Sequence, residues 1–143
     1  MKPVLAALLG CCVATAAGAC DGLAVERAWV REPPPGTTVA AAYFELINRG
    51  TSAVKVTAVT SPDFGWAMLH ATQVVDGRAE MRELGALELA PAAHFSATPG
   101  AVHLMLGEPR HPLAAASAVT LAITCAAGPA LSFPAPVRRT PPP

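Results

Sequence analysis

The 143-residue chain is poor in charged residues, and its few charges balance: 10 Lys and Arg stand against 10 Asp and Glu. Loss of an N-terminal segment that contains Lys2 would leave nine basic and ten acidic side chains. Proteins that bind nucleic acids or anionic membranes carry a strong positive patch. The composition therefore argues against both kinds of partner.

The sequence also lacks the common motifs of catalytic sites. There is no HExxH, no GxSxG and no Gly-rich phosphate loop, and the acidic residues are scattered singly. We therefore expect no enzymatic activity. A blue-copper electron carrier is disfavoured as well, because such a site needs a Cys thiolate beside two His and a Met. Neither Cys20 nor Cys125 lies near the His and Met residues discussed below.

Long hydrophobic runs are absent except at the N-terminus. There, VLAALLGCCVATAA follows Met1-Lys2 and is too short to span a bilayer with its flanks, and Ala17-Gly18-Ala19 offers a cleavage site. We predict a signal peptide at 1–19, one domain at 20–137 with a single core, and a disordered Pro-rich tail at 138–143. No later stretch reaches transmembrane length.

Two cysteines, Cys20 and Cys125, remain after the predicted signal peptide. In an oxidising compartment they would form one disulfide. Alternatively, Cys20 would be acylated as the first residue of a bacterial lipoprotein, although Ala17 stands where such sites usually have Leu. Both alternatives remain open from the sequence.

The remainder of the chain has the pattern of a β protein. Val54 and Val56 alternate with Lys55 and Thr57, which is the period of a half-buried strand, and no segment of ten or more residues has a helical period. Turn signals separate eight or nine such segments. This spacing predicts an antiparallel β-sandwich.

Asp76-Gly77 is a strong signal for a tight type I′ hairpin. A two-residue loop there places Thr72 opposite Met81 and His70 opposite Glu83. Directly opposed residues share a face of the sheet, as do residues two apart on one strand. The hairpin therefore predicts that His70 and Met81 are diagonal neighbours on one face.

The segment AVHLMLGEP places a second pair, His103 and Met105, on one face of a strand. Alone, this pair would indicate core packing. Together with the hairpin pair it makes a set of two imidazoles and two thioethers, which suits Cu(I). Mg²⁺ and Ca²⁺ prefer oxygen ligands, and zinc prefers thiolate, imidazole and carboxylate. The candidate metal ligands are His70, Met81, His103 and Met105.

These four residues have the spacing H-x10-M-x21-H-x-M, which resembles the copper motif of the periplasmic copper chaperones called PCu(A)C. The resemblance extends from about Ala28 through PPPGTTVAAAYFELINRG to Leu113, and more loosely to Val137. It implies a cupredoxin-like Greek-key β-sandwich in the periplasm that binds one Cu(I) per chain near its surface. We expect such a domain to be a monomer.

The same resemblance implies delivery of copper to the CuA centre of cytochrome c oxidase, in subunit II, often beside a thiol-based copper chaperone. A copper buffer or uptake protein would have the same site without a delivery partner. A protein of another class, a metal-free interaction module, would have His and Met there only as packing residues.

One position departs from the family pattern. Family members often carry a Met two residues after the first His, and this chain has Thr72 there. Met68, two residues before His70, is either an auxiliary ligand or a packing residue at the core or rim. His94 and His111 match no motif position, and we expect them to be solvated or structural.

Overall fold

The computed structural model describes residues 20–126 and 128–143. The predicted signal peptide lies outside them. Within the described residues no helix is long and apolar enough to cross a membrane. Their regular elements are ten β-strands: β1 (Leu23–Arg31), β2 (Val39–Asn48), β3 (Val54–Thr60), β4 (Phe64–Val75), β5 (Arg78–Glu83), β6 (Leu87–Leu89), β7 (His94–Ala97), β8 (Val102–Pro109), β9 (Ala118–Cys125) and β10 (Leu131–Arg138).

The strands form one hydrogen-bonded path in the order β5-β4-β8-β2-β1-β10-β9-β3-β6, with β7 paired to β2. The predicted all-β fold is confirmed. Its strand pairs are antiparallel except for β1 and β10, which run parallel at Val30↔Val137 and Arg31↔Arg138. A parallel pair needs a long crossover connection. Here β1 is the first strand and β10 the last, so the rest of the domain forms the long connection between them.

The two ends of this path pack against each other around one core. Alternate residues of β2 and β8, such as Phe44 and Leu104, are buried together with Leu121 and Ile123 of β9. Because side chains alternate along a strand, the other face of β4 and β8 is turned away from the core. That outer face carries the candidate site.

A disulfide joins Cys20 to Cys125, with the two Cα atoms 5.6 Å apart. It fastens the segment before β1 to the end of β9, and it confirms the disulfide alternative. A sulfur atom in a disulfide cannot also carry a thioether-linked lipid. The lipid anchor at Cys20 stays an alternative prediction for a protein in which this bridge does not form.

The last strand, β10, runs through Pro134 and Pro136 to Arg138, the first residue of the predicted Pro-rich tail. Both prolines are exposed, and β10 pairs with β9 alone at these positions. Proline has no backbone N–H, so a strand tolerates it where no neighbouring strand needs a hydrogen bond from that position. Beyond the strand, Arg27 donates a hydrogen bond to the carbonyl of Pro142 at 3.2 Å. The disorder predicted for 138–143 stays a prediction. A disordered tail would have to break the hydrogen bond between Arg27 and Pro142.

Candidate metal site

The β4–β5 hairpin has the predicted register. Asp76 and Gly77 both adopt positive φ, 50° and 76°, as a type I′ turn requires. Thr72 lies opposite Met81, and His70 lies opposite Glu83. The hairpin prediction is confirmed, and His70 and Met81 are diagonal neighbours on one face.

The third strand of the site, β8, lies along the other side of β4. His70 is directly opposite His103, and Met68 is directly opposite Met105. Between these residues, Leu69 and Leu104 turn to the buried face. The alternation therefore places the imidazoles and thioethers of β4 and β8 together on the outer face.

Contacts between side chains bring these donors close to each other. His70 Nδ1 lies 3.0 Å from Met105 Sδ. The rings of His70 and His103 have centroids 6.0 Å apart and planes inclined by 71°. Nitrogen and sulfur donors from two strands thus lie within reach of a single ion.

Met81 has a different setting from the other three candidate ligands. It lies on β5, at the edge of the sheet, and its side chain is 63% exposed, whereas His70, His103 and Met105 are half-buried. The structure therefore places three predicted ligands side by side and the fourth at the solvent edge, one diagonal step from His70.

The environment of His103 favours a neutral imidazole. Burial lowers the pKa of His103, and the neighbouring His70 lowers it further, while a hydrogen bond with the backbone of Ala101 opposes the shift. A neutral imidazole has a nitrogen lone pair available for a metal ion.

The donor types that meet here are soft. In the described part of the chain, no group of three or more His, Cys, Asp or Glu side chains could hold a metal ion. The outer face instead offers two imidazoles with thioethers, and thioether sulfur is a ligand for Cu(I). The residues present fit copper.

Trp66 borders this set, at the edge of the candidate site. It lies opposite Gly107, two residues along β8 from Met105. A Cβ atom at position 107 would overlap the Trp66 indole, so the ring lies against the backbone there. Gly107 in HLMLG is the sequence signal for this contact, since glycine inside a strand often marks a place where another group lies close to the backbone.

The other two histidines lie away from this set. His94 on β7 has its Nε2 atom 3.3 Å from a carboxylate oxygen of Glu45. His111 borders an open groove beside Pro33–Pro35. Both positions agree with the expectation that these histidines are solvated or structural.

The fold and the site define a class, namely cupredoxin-like β domains with His and Met donors on an outer sheet face. The sequence profile of the LpqE-like family, described as "Putative lipoprotein LpqE-like", matches residues 23–137. The chain therefore belongs to this family.

A curated relative, "Putative lipoprotein Lxx21020" of Leifsonia xyli subsp. xyli (strain CTCB07), is 29% identical over 142 residues. The alignment covers 94% of this chain and 84% of the relative.

Solved structures with a similar fold include a copper-bound PCuAC domain from PmoF2, with a TM-score of 0.67 and 20% identity over 83% of this chain and 94% of that one. Apo-DR1885 from Deinococcus radiodurans has a TM-score of 0.66 and 24% identity over 98% of this chain and 95% of its own. CuI-DR1885 from the same organism has a TM-score of 0.62 and 25% identity, over 78% and 75%. These matches support the predicted relationship to the PCu(A)C proteins.

Proposed function

We propose that this protein is an exported copper metallochaperone that binds one Cu(I) per chain. The proposed ligands are the four residues of the predicted set, namely His70, Met81, His103 and Met105. The observation that carries the proposal is the 3.0 Å contact between His70 Nδ1 and Met105 Sδ on a half-buried outer face. This contact places a nitrogen donor and a sulfur donor side by side, as a site for one soft ion requires.

The oxidation state follows from the ligand types. Cu(I) is a soft ion that accepts thioether and imidazole donors. The candidate site adds no carboxylate among its four proposed ligands. Methionine also suits an oxidising compartment, where a pair of thiols would tend to form a disulfide, as Cys20 and Cys125 do.

The accessibility of the site supports transfer of copper to another protein. Met81 is 63% exposed on the edge strand, so an acceptor can approach the ion from that side. The proposed acceptor is the CuA centre in subunit II of cytochrome c oxidase, with a thiol-based copper chaperone as a second partner. The relatedness to copper-bound PCuAC domains supports this role.

The signal peptide at 1–19 and a periplasmic location are part of the proposal. The family description and the curated relative both include the word lipoprotein, which agrees with export. Mass spectrometry of the protein from its native host tests the N-terminus. We expect a chain that starts at Cys20 and weighs two hydrogen atoms less than its reduced form. Acyl chains on any cysteine would contradict this maturation.

Titration of the mature protein with Cu(I) against a competing chelator tests copper binding. We expect one equivalent of tightly held Cu(I), strong weakening in His103→Ala, and no change in the control His94→Ala, whose imidazole faces Glu45. Failure of the native protein to compete with the chelator would leave the metal-free module as the correct interpretation.

Oxidase activity in a deletion strain tests delivery. We expect activity to fall at limiting copper and to return with the native gene but not with a His103→Ala gene. Unchanged oxidase activity alongside tight Cu(I) binding in vitro would identify a copper buffer or uptake protein instead.

A further inference from the structure

We propose that Met68 is a fifth copper-binding residue, and that Met68 and Met81 are alternative thioether ligands of one ion. The ion would be shared by His70, His103 and Met105 in both arrangements. This inference rests on the proposed copper function and adds a second ligand set to it.

The geometry of β4 and β8 carries the inference. Met68 lies opposite Met105, and His70 lies opposite His103, so these four residues form a block of two adjacent cross-strand pairs. Directly opposed residues have Cβ atoms about 4.5–5.5 Å apart, within reach of the long methionine side chain. The contact between His70 Nδ1 and Met105 Sδ runs diagonally across this block. Met81 belongs to a third strand and reaches the block only from its edge.

The distribution of methionine in the chain points to the same conclusion. The sequence has four methionines, and the three within the described residues, Met68, Met81 and Met105, all lie on this face. The buried hydrophobic core of the described residues contains none of them. Methionine commonly fills gaps in cores, but Met68 is 42% exposed and fills no such gap.

Two alternative thioethers give the ion a way to change ligands without leaving the protein. One Cu–S bond forms to Met68 while the bond to Met81 breaks, and the charge and oxidation state of the ion are unchanged. Met81 is at the exposed edge, so a ligand of an acceptor protein would displace it first. Met68 would keep the ion bound to the β4–β8 block during that exchange.

The test compares Met68→Leu, Met81→Leu and the double variant with the native protein. Leu keeps much of the volume and the apolar character of Met while removing sulfur, so folding should survive. Val74→Leu is a matched control, because Val74 lies on the same strand and face, is 75% exposed and stands outside the donor block. Thermal unfolding of each apo variant checks the fold.

Two measurements decide the outcome, namely Cu(I) affinity against a competing chelator and the number of sulfur ligands seen by X-ray absorption. We expect the double variant to lose at least about fivefold more affinity than the product of the two single losses, because either thioether compensates for the other. We also expect Met81→Leu to keep two sulfur ligands per copper and the double variant to keep one.

Met68 is not a ligand if Met68→Leu changes nothing in either background and Met81→Leu drops to one sulfur. That result would leave the four-residue site intact. A native protein that fails to compete for Cu(I) would overturn the proposed function, and the role of Met68 with it.

Discussion

Removal of the Cys20–Cys125 disulfide should destabilise the domain strongly without weakening its copper site. The bridge closes a loop with a sequence separation of 105 residues. In the chain-entropy model, cross-linking a loop of that size removes roughly 16 cal/mol/K from the unfolded ensemble, or about 4.8 kcal/mol at 25 °C. Strain and residual structure commonly reduce this value, so we expect a loss of roughly 3–5 kcal/mol.

Cys20→Ala/Cys125→Ala is the appropriate variant, because Cys125 is only 4% exposed and a serine hydroxyl there would need a hydrogen-bond partner. Urea unfolding followed by circular dichroism measures the loss, and the melting temperature should fall by roughly 10–20 °C. Either single variant should lose nearly as much as the double variant, because one missing sulfur already opens the loop.

Reduction of the native protein provides the control, since it opens the loop without changing side-chain volume. A loss below about 1 kcal/mol on reduction would refute the loop-entropy argument. The bridge joins the segment before β1 to β9, and neither strand contributes a proposed copper ligand. Cu(I) affinity of the folded variant should therefore match that of the native protein.

Three further outcomes follow from the site. Met105→Leu should weaken Cu(I) binding by more than about tenfold, since it removes the sulfur beside His70, and should change the free energy of unfolding by less than about 1.5 kcal/mol. Chelator competition measures the affinity and urea unfolding the stability, and an unchanged affinity would exclude the Met105 thioether as a ligand. Cu(I) affinity should fall as the pH drops below about 6.5, because imidazole must be neutral to bind. Since the pKa of His103 is lowered, protonation of His103 should weaken binding only toward the acid end of the titration. An affinity that is constant from pH 8 to about 5 would argue against both histidines as ligands. Gly107→Ala should destabilise the domain by about 1–3 kcal/mol and shift the tryptophan fluorescence, because the new Cβ overlaps the Trp66 indole. An unchanged fluorescence spectrum would contradict the contact between Trp66 and the backbone at position 107.

Half of the site was predictable from local sequence. Asp76-Gly77 determines both the turn and the register, so the positions of His70 and Met81 on one face follow from fewer than fifteen residues. The alternation of His103 and Met105 along β8 is equally local. In each case one short segment contains all the information that the geometry needs.

The pairing of β4 with β8 was not predictable in this way. Three strands, β5, β6 and β7, separate them along the chain, and alternation shows which residues share a face but not which strand lies alongside. The placement of Met68 opposite Met105 depends on that pairing. For the same reason the sequence left the role of Met68 open.

Cys20 and the end of the chain show a second limit. Cysteine spacing alone allowed both a disulfide and a lipid anchor, and the bridge became visible only through the approach of Cys125 at the end of β9. Proline usually ends a strand, yet β10 runs through two prolines to Arg138. Its neighbour β1 pairs with it only from Val137 onward, which leaves Pro134 and Pro136 free of any need for an N–H donor on that side.

The position of the candidate site on the outer face separates copper exchange from the stability of the fold. The core between the packed strands is formed by apolar residues such as Phe44 and Leu104. The disulfide between Cys20 and Cys125 joins two distant parts of the chain. The donors alternate with those core residues on the same strands, yet they face solvent or a half-buried surface. An ion bound inside the core could leave only if the strands separated, at an expense close to the full free energy of unfolding. An ion on this face can leave by exchange of single ligands, beginning at the exposed Met81. The fold could therefore remain rigid while the metal changes partners, as the proposed delivery of copper requires.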